Sequence, residues 1–128
     1  MKYIVLLSVL SLFLTACSKI PTDAQIRQRV VGSWQPVSSS SNTTTVVSEM
    51  HPDGSFVSKC SSATINVELA GSWAVQDGIL TSTLTNAQDT DARFHFSPVT
   101  RYKIVRISRD EMAFQIGTET NLTIMRRR

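Results

Sequence analysis

The thiol of Cys17 is the side chain with the clearest chemistry near the start of the chain, since a thiol can be modified covalently. It directly follows Leu14, Thr15 and Ala16, which close a long apolar run. A charged start, an apolar core and small residues before a break are the three parts of a secretory signal peptide. The sequence therefore predicts that residues 1–16 lie outside the folded domain.

The segment Leu14-Thr15-Ala16-Cys17 also resembles the lipobox of bacterial lipoproteins. This resemblance implies that a signal peptidase recognises Leu14, Thr15 and Ala16 and cuts before Cys17, whose thiol then carries a diacylglycerol with fatty acyl chains such as palmitate. The alternative is a signal anchor that stays in the membrane. Length argues against it, because the 14 residues from Tyr3 to Ala16 are fewer than the roughly 20 that cross a bilayer.

The lipoprotein resemblance also implies a location. Two or three acyl chains anchor a protein stably without a membrane-spanning helix. In such lipoproteins, an aspartate directly after the cysteine is associated with retention in the inner membrane. In this chain that position is Ser18. We therefore expect lipid anchoring at the periplasmic face of the outer membrane rather than at the inner membrane.

The mature chain, residues 17–128, has the length of one domain. Its 12 basic and 10 acidic side chains give a net charge of +2, which indicates no particular partner. Acylation of Cys17 leaves Cys60 as the only thiol, so no internal disulfide can form. We interpret residues 17–21 as a short tether and residues 22–128 as the folded domain.

A short helix is predicted over Ala24–Val31, where Ile26 and Val30 form one apolar stripe. Either Thr22 or Asp23 can cap it. The rest of the chain has the alternation and turn residues of β-strands. The predicted strands are residues 32–38, 43–51, 55–60, 65–76, 79–85, 92–108 (one long strand, or two divided at Pro98), 112–116 and 120–125.

About eight strands joined by short turns predict an all-β fold, a small antiparallel up-and-down β-barrel preceded by the short helix. An immunoglobulin-like sandwich is the alternative, but its pair of core cysteines is absent. The clearest alternation lies in the fourth strand. Its inward face predicts the lining of a ligand cavity by Ile65, Val67, Leu69 and Trp73.

The sequence Val31-Gly32-Ser33-Trp34 resembles the Gly-x-Trp signature of lipocalin and calycin barrels. Residues 50–56 and 71–80 are similar to compact lipocalin-like domains of bacterial lipoproteins. In that family an arginine near the end of the last strand packs across the first-strand tryptophan, which implies a barrel-closing pair of Trp34 and Arg126. Two other interpretations of the basic residues 126–128 remain open, a patch for anionic lipid headgroups and a solvated tail.

No catalytic motif is visible, and His51 and His95 lie apart from any cluster with the spacing of metal ligands. We therefore expect no enzyme, metal or cofactor, and export argues against a nucleic-acid partner. Two functions remain. The first is a carrier whose barrel binds a small hydrophobic ligand. The second is a structural or interaction lipoprotein, accessory or inhibitory, with a filled core and a protein partner in the envelope.

Overall fold

The structure is a computed structural model that describes residues 20–37, 45–64, 66–89 and 96–128. Within these residues the chain forms one helix, α1 (Asp23–Val30), and then eight strands. The strands are β1 (Gly32–Pro36), β2 (Thr45–Met50), β3 (Ser55–Ser61), β4 (Asn66–Gln76), β5 (Ile79–Asp89), β6 (Val99–Ile107), β7 (Glu111–Ile116) and β8 (Thr123–Arg127).

Each strand pairs with the next in antiparallel fashion, and β8 pairs with β1 to close the barrel. The predicted up-and-down barrel with a short helix before its first strand is confirmed. Closure gives every strand a paired neighbour on both sides, which limits the backbone hydrogen-bonding groups that an all-β protein exposes.

The helix begins where the sequence places a cap. Thr22 accepts a hydrogen bond from the backbone N–H of Gln25 at 3.2 Å, and the Gln25 side chain accepts one from the Thr22 N–H at 3.1 Å. This capping box satisfies two backbone donors at the helix start. The buried stripe is also as predicted, since Ile26 and Val30 are 0% exposed. They insert into one end of the barrel, which we call the closed end; it also contains the turns at residues 51–54, 77–78 and 108–110.

The fourth and fifth strands are the longest, and β5 runs past its predicted end at residue 85 to Asp89. The interval between the predicted strands, residues 86–91, is therefore not all loop, because residues 86–89 belong to β5. Residues 86–89 pair with residues 67–70 of β4, beyond a bulge between Ala70 and Gly71. A β-carbon on Gly71 would collide with the carbonyl oxygen of Thr83, so β5 approaches β4 too closely at this position for any larger residue.

The last strand lies further along the chain than predicted. It occupies Thr123–Arg127 instead of residues 120–125. A turn intervenes, in which Gly117 has a φ of +56° and the Gln115 side chain donates a hydrogen bond to the Thr120 carbonyl. The register of this strand decides which C-terminal arginine lies opposite Trp34 of β1.

Candidate functional site

A small cavity of about 90 Å³ lies inside the barrel and is the first candidate site. Its floor is Val30 of α1 and Trp34 of β1, and most of its wall is apolar. The other lining residues are Ser48, Met50, Phe56, Ser58, Leu80, Ser82, Tyr102, Met112, Phe114 and Met125. Tyr102 and Phe114 meet edge to face, with ring centroids 5.2 Å apart. The arrangement fixes two aromatic rings on one side of the cavity.

Three serines form the polar part of the cavity wall. Ser48 and Ser58 are cross-strand partners on β2 and β3, and their hydroxyl oxygens are 2.8 Å apart. Ser82 lies on β5. Hydroxyl groups can donate and accept hydrogen bonds, so this wall can bind water or one small polar group.

The residues predicted to line a cavity do not line this one, and β4 contributes none of its wall. Val67 is only 2% exposed and Leu69 is half-buried, so both side chains lie on the predicted inward face. Ile65 lies outside the described residues. Trp73 turns to the closed end instead, where its indole N–H is 3.1 Å from the His51 carbonyl and 3.0 Å from that of Ser55.

Gly71 gives the physical reason for this correction. It stands in the middle of the inward face of β4 and has no side chain. The Phe56 ring lies against it, with one ring carbon 2.8 Å from where a β-carbon would be. Phe56 therefore occupies the space in front of β4 and becomes the wall of the cavity.

Trp34 anchors the closed end of the barrel. Its side chain is fully buried, and its indole N–H donates to the Val30 carbonyl at 2.7 Å. The arginine above its ring is Arg127, whose guanidinium carbon is 4.4 Å from the ring centroid. The predicted partner, Arg126, is wrong by one position. Arg127 is the cross-strand partner of Trp34, so the two side chains share a face, whereas Arg126 points outward.

Arg127 is also a hydrogen-bonding clamp. Its two terminal nitrogens donate at 2.7 Å to the carbonyls of Val31 and Arg29, and Nε donates to that of Arg109. Gly32 leaves room for this side chain, because a β-carbon there would collide with the guanidinium. One residue thus ties the end of α1 and the β6–β7 turn to β8.

The start and sides of α1 are held by other polar contacts. The Asp23 carboxylate accepts hydrogen bonds from the backbone N–H groups of Asp77 at 2.9 Å and Gly78 at 2.8 Å. These bonds hold the pKa of Asp23 below its usual value. Arg27 donates to the Val75 carbonyl at 2.8 Å and Arg29 to that of Ile107 at 3.0 Å. The helix is therefore fixed across the closed end.

Polar side chains in the β2–β3 turn form a second candidate site. Nδ1 of His51 is 3.1 Å from the Ser55 hydroxyl, and Nε2 is 3.7 Å from a Glu49 carboxylate oxygen. The Ser55 hydroxyl, however, donates to Asp53 at 2.6 Å, and the Ser55 N–H donates to the same oxygen at 2.8 Å. These bonds lower the pKa of Asp53. The Asp53 carboxylate thus caps the turn and holds the Ser55 hydroxyl in place.

Across the described ranges, no group of three His, Cys, Asp or Glu side chains is placed to bind a metal ion. Cys60 is a half-buried free thiol. The predicted lipid-attachment residue Cys17 and the preceding residues 14–16 lie outside the described part of the chain. No helix in that part is both long and apolar enough to span a bilayer.

The chain matches no family model, and no curated protein is significantly similar to it.

Proposed function

We propose that this chain is a bacterial envelope lipoprotein, anchored through Cys17 at the periplasmic face of the outer membrane. Its barrel acts through its outer surface and carries no lipid-sized ligand. The anchor rests on the sequence motif at residues 14–17. The position of α1 supports it, because the helix begins at Asp23, directly after the tether predicted at residues 17–21.

The size of the internal cavity is the observation that carries the second part of the proposal. Its volume is about 90 Å³. Pockets for drug-sized ligands usually measure about 300–1,000 Å³. Even a benzene-binding cavity engineered in another protein measures about 150 Å³. A fatty acyl chain would therefore require the core to repack, which favours an interaction protein over a carrier.

A carrier of a much smaller molecule is the second candidate function. The observation in its favour is the lining itself, in which Ser48, Ser58 and Ser82 are combined with aromatic and thioether side chains. Such a wall suits a compact molecule with one polar group.

Fluorescence of Trp34 separates the two candidates, because its ring lines the cavity and Trp73 does not. In a Trp73→Phe variant we expect fatty acids of any length from four carbons up to leave Trp34 emission unchanged. The matched Trp34→Phe variant reports only Trp73 and controls for binding to the outside of the barrel. A saturable change confined to Trp34 would establish the carrier function and remove the filled-core proposal.

The anchor has a separate experiment. Radioactive palmitate should label the wild-type chain in growing bacteria and should not label Cys17→Ser. Equal labelling of the two would refute the lipoprotein assignment.

A further inference from the structure

The charges of the barrel are divided between two parts of its wall. Residues 45–89, which contain β2 to β5, have five acidic side chains and one basic side chain, Lys59. Residues 96–128, which contain β6 to β8, have seven basic and three acidic side chains. Some of these charges lie in turns at the closed end, among them Asp53, Asp77 and Arg109. On the strands themselves, β2 to β4 carry Glu49, Lys59 and Glu68, whereas β6 to β8 carry five basic side chains and Glu111. Because consecutive strands are neighbours around the barrel, the β6–β8 side of the wall is the more positive one.

The outer face of β6 carries exposed positive charge. Arg101 and Lys103 alternate there with the inward residues of the strand and are exposed. Within the described residues they form no ion pair with a carboxylate. Arg106 is different, since its guanidinium is 2.7 Å from Glu111. On the outer face of β6, Arg101 and Lys103 are therefore free to attract an anionic surface.

A groove of about 470 Å³ adjoins this strand at the closed end of the barrel. It lies between the segment Ile20–Pro21, the Arg29 side of α1 and the end of β6. Two apolar side chains beside it are open to solvent, Ile20 at 84% and Val105 at 43%. Protein surfaces that rest on a membrane interface combine exposed apolar side chains with unpaired cations, as this surface does.

The path of the chain places this surface near the anchor. Ile20 is three residues after Cys17, and three residues span at most about 10 Å. An acyl group on Cys17 would thus hold the groove about one Debye length from the headgroups, where basic residues are attracted to anionic lipid.

We propose that the basic face, defined as Ile20, Arg101, Lys103 and Val105, rests on a bilayer surface rich in anionic phospholipid. The acidic side of the barrel, β2 to β5, then points away from the membrane into the periplasm. This orientation rests on the proposed lipid anchor. It extends that proposal by naming which side of the barrel contacts lipid and which side is presented to other envelope proteins.

Site-directed labels test the orientation in the full chain, purified from membranes and reconstituted in vesicles. A nitroxide is placed at Val105→Cys or at Val47→Cys in a Cys60→Ser background. Val47 is the matched control because it lies on the outer face of β2, four strands away around the barrel. In vesicles of phosphatidylglycerol and phosphatidylethanolamine, we expect collisions with a water-soluble nickel chelate to fall at least threefold at position 105 and to stay unchanged at 47.

The double variant Arg101→Gln/Lys103→Gln tests the electrostatic part. It should restore collisions at position 105 to the level found in purely zwitterionic vesicles, whereas Lys59→Gln, on the acidic side, should not. Equal accessibility of the two labels, or protection that is insensitive to anionic lipid, would overturn the orientation. Protection at 105 only after an acidic envelope protein is added would overturn it too. The mass of the Cys17 peptide reports acylation independently, so failure of the anchor is distinguishable from failure of the orientation.

Discussion

Arg127 connects segments that lie far apart in the chain. It stacks on Trp34 and donates to carbonyls of Arg29, Val31 and Arg109. Charged donors of this kind contribute about 1.5–3 kcal/mol, and the cation–π contact adds about 0.5–2 kcal/mol. We expect Arg127→Gln to lower the free energy of unfolding by about 3 kcal/mol, as measured by urea denaturation.

Arg126 provides the control for this prediction. Its side chain is 64% exposed, and its Nε is 3.8 Å from Glu111. We expect Arg126→Gln to change stability by less than about 1 kcal/mol. If the two variants lost the same stability, the clamp assigned to Arg127 would be incorrect.

The carboxylate of Asp23 makes stability depend on pH. Its folded pKa is depressed by the hydrogen bonds from Gly78 and Asp77, so its contribution is present above the usual value of 3.8 and is lost as pH falls through the folded pKa. Asp23→Asn should therefore be less stable than wild type at pH 7, and the difference should shrink below about pH 4. Urea denaturation from pH 2 to 7 measures it.

Asp77→Asn is the matched control in the same turn. It removes a carboxylate while keeping the backbone N–H that donates to Asp23. A pH dependence as large in Asp77→Asn as in Asp23→Asn would show that the charge of the turn, rather than the helix attachment, is responsible.

The helix is the element that seals the barrel. Ile26 and Val30 are fully buried at the closed end, although an eight-residue helix is marginal in isolation. We expect Ile26→Ala to destabilise the protein by about 3 kcal/mol, because it leaves an unfilled space under the barrel. The exposed change Gln28→Ala should stay within about 0.5 kcal/mol in the same thermal or urea measurement. Similar losses in both would mean that α1 does not pack as described.

The close packing of β4 against β5 depends on Gly71, which has no side chain. Gly71→Ala would push against the Thr83 carbonyl and the Phe56 ring. We expect a loss of about 3 kcal/mol in urea denaturation, since the backbone of β5 must move. Ser72→Ala, at the neighbouring outward position, should be close to neutral. A neutral Gly71→Ala would contradict the close approach of β4 and β5.

At the scale of the whole molecule, the strand order follows from the sequence because turn residues and period-two alternation are local signals. Asp77-Gly78, for example, marks the β4–β5 hairpin, and both residues have positive φ. Registers set by distant pairing were not predictable in this way. β8 begins at Thr123 and not at residue 120, and the arginine that stacks on Trp34 is Arg127 and not Arg126. Alternation counted from Thr123 places Arg127 on the inward face.

The site was harder to predict than the fold. An inward face can be read from Val67 and Leu69, but whether it meets empty space depends on side chains from other strands. Because Phe56 fills the space in front of Gly71, the residues that form the cavity wall belong to β2, β3 and β5 to β8. The inward place of Ser48 beside Met50 was readable from alternation in β2. Its hydrogen bond with Ser58 can be predicted only when the register between β2 and β3 is known.

Native mass spectrometry of the protein purified from bacterial envelopes tests at once whether the barrel is lipid-anchored and whether its core is filled. We predict one species that begins at Cys17, carries covalent acyl chains and has no further mass bound non-covalently to the barrel. A species that retains residues 1–16 would contradict the lipid anchor. A species that releases an additional lipid when gently activated would contradict the filled core.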